Sequence, residues 1–123
     1  MDDRAEALVV KVTCGVEAPE RLAQGFTVAA TALASGLGVS LWLTGDASWM
    51  AVPGRAETVE LPHAAPLAEL RDAVLEAGRL TVCGQCAARR DLGEGDLVAG
   101  ATIRGAAAFV EEVVAPRTRA LVY

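Results

Sequence analysis

The chain has 123 residues, of which 53% are hydrophobic and 22% charged, a size that fits one domain and a balance that excludes a disordered tail. A net charge of −5 argues against phosphate-backbone binding, and 4% aromatic content leaves few platforms for stacking bases, so no nucleic-acid partner is expected. Three cysteines, an odd number, speak against a disulfide framework and for reduced thiols.

The opening residues Met1, Asp2, Asp3, Arg4, Ala5 and Glu6 form neither the basic nor the apolar part of a secretory signal, so a cytoplasmic location is expected. Residues 8–13 then read as a strand. They are nearly continuous in aliphatic and β-branched residues, as in a parallel strand covered on both faces, with Lys11 the exception. Pro19 opens a helix in which Leu22, Phe26, Ala29 and Leu33 make one apolar stripe, and Gly36 ends it. Residues 39–44 are the second strand. No charge occurs from residue 22 to 45, a span long enough to cross a bilayer. Gln24, Thr27, Thr31, Ser35 and Ser40 interrupt it, and a helix followed by a buried strand explains it without a membrane.

In the next stretch Asp46 is placed to cap a short helix through Trp49 and Met50, which Pro53 and Gly54 break. The rest, to Pro66, reads as a loop and a candidate interface, with Trp49 exposed on it. A helix over residues 66–77 places Leu67, Leu70, Val74 and Ala77 on one face. Residues 80–83 form the third strand and 86–90 a short helix. A fourth strand falls within 98–103. A helix over 105–114 turns Phe109, Val110, Val113 and Val114 inward and leaves Glu111 and Glu112 solvated, and residues 120–123 close the chain as a fifth strand.

This alternation predicts an open, mainly parallel α/β sheet with helices on both faces, flavodoxin-like, in the order 2-1-3-4-5. In that order Cys14, just past strand one, and Cys83, ending strand three, flank the switch point, with Cys86 three residues on. A helix start favours thiolate over thiol, Gly84 permits a close backbone turn, and Arg89 and Arg90 add positive potential. Cys83 and Cys86 are therefore the candidate reactive pair. The competing readings are a non-catalytic binding module, whose cysteines pack as small buried hydrophobes or hold zinc through Cys14, Cys83, Cys86 and His63, and thiol–disulfide chemistry by Cys83 and Cys86.

The strand at residues 8–13, the turn Leu43-Thr44-Gly45-Asp46, Val82-Cys83 followed by Ala87-Ala88-Arg89-Arg90, the run Thr102-Ile103-Arg104-Gly105-Ala106 and the terminal Tyr123 together resemble the DsrE/DsrF/TusD-like family over most of the chain. The resemblance implies one such domain over residues 1–123, assembled as a homotrimer or hexamer and needing no cofactor. It further implies a sulfurtransferase-like cysteine that carries persulfide sulfur between donor and acceptor proteins. Cys83 matches that cysteine, and Arg89 and Arg90 match the basic pair after it. Gly84-Gln85-Cys86 departs from the sulfur-relay members, which have Ala-rich residues there.

Overall fold

In a computed structural model, which describes residues 3–123, the aliphatic run Ala7–Val12 forms strand β1. Met1 and Asp2, the first residues of the N-terminal reading above, lie outside the described residues. Helix α1 spans Pro19–Ala34 with proline in its first turn, where a missing N–H costs nothing. Its end is closed by Gly36 at φ 89°, while Leu37 N–H donates to Ala32 O at 3.0 Å. This closure satisfies late helical carbonyls, and glycine enters the left-handed region without Cβ strain.

Strand β2 (Gly38–Leu43), helix α2 (Leu67–Ala77), β3 (Arg79–Cys83), the short α3 (Gly84–Arg89), β4 (Thr102–Arg104), α4 (Ala106–Val113) and β5 (Thr118–Val122) follow in order. All strand pairs are parallel, and the α/β class holds. The strand order is β4-β3-β2-β1-β5, a flavodoxin-like arrangement that differs from the expected 2-1-3-4-5. β1 is flanked by β2 and β5, not by β3. Burial accounts for the difference: residues 39–43 are all buried and take the centre, while β5 exposes Leu121 and Val122 and occupies an edge. The order reverses between β1 and β5.

Side chains alternate across the sheet. Val10, Val12, Leu41, Leu43, Leu80 and Val82 share one buried cluster with Leu22, Phe26 and Ala29 of α1 and Val74 of α2. Each large aliphatic or aromatic member contributes about 1.5–3 kcal/mol by leaving water. The opposite face carries Lys11, Ser40, Trp42, Thr81 and Cys83, and α4 packs there: Trp42 meets Phe109 edge-on, ring centroids 5.3 Å apart.

Two elements depart from their sequence patterns. In α4, Phe109 and Val113 are half-buried, but Val110 and Val114 are 55% and 72% exposed. Glu112 turns inward instead, its side chain only 9% exposed. The reason lies beneath it: the Trp42 indole N–H donates to Glu112 Oε1 at 2.9 Å, and Arg104 donates to Oε2 at 2.9 Å. A buried indole N–H and a half-buried cation both require an acceptor.

The stretch from 45 to 66 is likewise more ordered than a loop. It contains two 3-10 segments, Gly45–Ala51 and Ala56–Thr58, which bury Ala47, Ser48, Met50, Ala51 and Ala56. Arg71, 3% exposed on the inner face of α2, holds it through a paired contact with Glu57 at 3.1 Å and a bond to Met50 O at 3.4 Å. Asp46 caps nothing, and Trp49 is half-buried under the Arg55 guanidinium, 4.4 Å from its ring. Among the described residues no helix is long and apolar enough to cross a membrane.

Candidate functional site

Cys83 is both the last residue of β3 and the residue that caps α3, and its side chain is half-buried. Burial alone would push its thiol up. The backbone N–H groups of Cys86 and Gln85, the Cys86 side chain and the Lys11 charge outweigh that and hold the thiol below its ordinary range. α3 is only six residues long, so these individual donors carry the effect and a long helix dipole does not.

Cys86 is buried, and its Sγ accepts a hydrogen bond from Gly45 N–H at 3.2 Å. Gly45 is the residue the turn requires: φ is +53°, and a Cβ there would stand 2.8 Å from Thr13 O. Gly84 is less constrained, because a Cβ would meet Arg104 O at an ordinary 3.7 Å. The close turn expected of it does not depend on glycine.

The basic residues are arranged differently from the sequence pattern. Arg89 is exposed. Arg90 turns away from Cys83, donating to Asp46 at 2.7 Å and to Cys86 O at 3.0 Å. It fastens α3 to the 45–51 segment. The cation whose charge bears on Cys83 is Lys11, the smallest of these influences, which the sequence marked only as the lone charge in an apolar strand.

Cys14 does not join the pair. It lies past the end of β1, and β2 separates it from β3, about 10 Å away at ordinary strand spacing. It is buried beside α1, its Sγ 3.9 Å from Ala18 O, and burial pushes its thiol up. The zinc set fails for the same topological reason. His63, at φ 62°, lines a surface cavity of about 690 Å³ with Gln24, Thr27 and Tyr123, a cavity to which no cysteine contributes. Among the described residues no three His, Cys, Asp or Glu side chains converge as a metal would need.

The chain is thus a flavodoxin-like parallel α/β protein, with a thiol of lowered pKa at the end of β3 and a second thiol one turn on. The DsrE/DsrF-like family matches residues 7–114, and the chain belongs to that family, which is associated with sulfur relay. The fold is similar to that of the ychN protein of E. coli, with a TM-score of 0.76 at 15% identity, covering 97% of this chain and 99% of that one. It is also similar to MTH1491 of Methanobacterium thermoautotrophicum, described as a protein of unknown function, with a TM-score of 0.67 at 8% identity over 95% and 98% of the two chains. No curated protein matches the sequence.

Proposed function

We propose that this protein is a sulfur carrier, with Cys83 the carrying residue. The supporting feature is that donors from Cys86 and Gln85, with a smaller contribution from the Lys11 charge, act together on one half-buried sulfur, favouring thiolate, the nucleophilic form. The Cys83 thiolate attacks the outer sulfur of a donor persulfide. A new S–S bond forms on Cys83, the donor S–S bond breaks, and the donor leaves as a thiolate. An acceptor thiolate then takes the outer sulfur in the same way and returns Cys83 to thiolate.

Cys86 adds a second route. Its side chain interacts directly with Cys83, and its thiolate can attack the inner sulfur of the Cys83 persulfide. That step breaks the persulfide S–S bond, forms a Cys83–Cys86 disulfide and expels hydrosulfide: the Cys86 sulfur is oxidised, the carried sulfur is reduced, and the Cys83 sulfur exchanges one S–S bond for another. A thiol–disulfide function would use the same pair without carried sulfur.

The chain acts in this reading as one domain in the cytoplasm, and as a homotrimer or hexamer. Val110 and Val114 on α4 and Val122 on β5 are exposed apolar side chains available to that assembly. Light scattering on the purified protein tests the oligomer, and a monomer at working concentration would remove it.

The functional test is sulfur loading. Protein exposed to a small-molecule persulfide and desalted is expected to gain one sulfur atom per chain and to release it as sulfide on adding a thiol. Cys83→Ser is expected to hold none. Equal loading of Cys83→Ser sinks the proposal, and a Cys83–Cys86 disulfide without any loaded sulfur favours the redox reading.

A further inference from the structure

The face of the sheet that carries Cys83 also carries a row of groups outside the aliphatic cluster under α1 and α2. Lys11, Trp42 and Thr81 align across β1, β2 and β3, since Lys11 pairs with Trp42 and Trp42 with Thr81. Cys83 stands two residues beyond Thr81 on the same face. Over this row lies Phe109 of α4, with the Lys11 ammonium 5.0 Å from its ring centroid. Trp42 braces the same ring at 85° between planes, and Glu112 fixes Trp42 through its indole N–H.

We infer that Lys11 is the charge partner of Cys83 and that Phe109 and Trp42 are positioning residues which hold it on the thiol's side of the sheet. The inference deepens the sulfur-carrier reading, because an anionic persulfide on Cys83 takes the same partner, but it concerns the thiol itself. A lysine on a flexible stem otherwise samples water. Here the ring face attracts the ammonium, and the ring cannot shift without disturbing the edge-on Trp42.

On α3, Arg89 is exposed and Arg90 is paired with Asp46 at 2.7 Å. Arg104, its register partner on β4, gives its guanidinium to Glu112 at 2.9 Å. Glu112 of α4 is shared among Trp42, Arg104 and, at 3.7 Å, Arg79. Cys86 of α3 lies beside Cys83 and is tied to Gly45. Among the described residues no carboxylate makes an ion pair with Lys11, which leaves its charge available to the sulfur.

The test is the rate of Cys83 alkylation, followed by peptide mass spectrometry across pH in wild type, Lys11→Met, Lys11→Arg, Phe109→Leu and the Lys11→Met/Phe109→Leu double variant. Lys11→Met keeps the apolar stem and removes the charge. It is expected to slow Cys83 about threefold at a fixed pH below the midpoint and to move the midpoint upward. Lys11→Arg restores most of the rate. Phe109→Leu changes no charge, so a slowing there reports the position of Lys11, and it is expected to vanish in the double variant.

An unchanged midpoint in Lys11→Met overturns the pairing. A Phe109→Leu effect that persists without Lys11 overturns the positioning role. Alkylation reads the thiolate whether or not the protein carries sulfur, so failed sulfur loading with a Lys11-dependent midpoint rejects the function and leaves this inference standing.

Discussion

Gly45 joins the backbone of the sheet to the thiol pair, and replacing it with alanine tests that junction. At φ +53° a non-glycine residue costs about 1–2 kcal/mol. The added Cβ would also lie 2.8 Å from Thr13 O, a backbone atom that can yield only by moving the end of β1. Any such movement stretches the 3.2 Å bond from Gly45 N–H to Cys86 Sγ, a contact worth about 1 kcal/mol. Gly45→Ala is therefore expected to cost about 3 kcal/mol, with a melting temperature lower by about 10 °C. Gly36→Ala is the control: its φ is 89°, but nothing lies within 4 Å of the added carbon, so it bears the conformational cost alone. Urea unfolding of both variants, with alkylation of Cys86 followed in parallel, gives the comparison. Gly45→Ala should also open Cys86 to reagent. The reasoning is refuted if Gly45→Ala costs no more than Gly36→Ala and Cys86 stays protected.

Other outcomes follow from the same contacts. Glu112→Ala leaves the Trp42 indole and Arg104 without their acceptor, and is expected to destabilise the fold by about 2–3 kcal/mol in urea titration. Burial opposes ionisation of Glu112, but the nearby Ser40 hydroxyl (which makes no well-formed hydrogen bond), Trp42, Arg79 and Arg104 prevail and hold its carboxyl below the usual glutamate range. Its stabilisation is thus fully present above the ordinary glutamate pKa and lost as pH falls through the lower folded-state value, so acidification should weaken wild type more than Glu112→Gln. Arg71→Met removes the tether of the 45–66 stretch. A loss of about 2 kcal/mol and faster limited proteolysis within that stretch are expected, the figure moderated because Glu57 is half exposed. Arg90→Ala should loosen the 45–51 segment, seen by hydrogen exchange, while changing Cys83 alkylation far less than Lys11→Met does.

The strands and helices were legible because the chain alternates nearly continuous aliphatic runs with striped ones, and because Pro19 and Gly36 mark helix ends. Cys83 at a strand end followed its place between Val82 and a short Ala-rich helix. Strand order was not legible, since a right-handed crossover can carry β2 to β3 on either side of β1, and only burial and edge exposure decide between them. That one choice separated Cys14 from Cys83 and dissolved the four-ligand zinc set. Glu112 was misread because a carboxylate in a Glu-Glu pair looks solvated. The signal lay elsewhere, in a strand tryptophan needing an acceptor and in Arg104 needing a counter-ion. Lys11 was visible as an anomaly in β1, but its use depends on Phe109 from the far end of the chain.

Peptide mapping of wild-type protein after brief exposure to a small-molecule persulfide, with all three cysteines resolved, addresses the central claim most directly. The account predicts the added sulfur on Cys83 first, little on buried Cys86 and least on Cys14. Sulfur appearing first on Cys14, or evenly on all three, would contradict it.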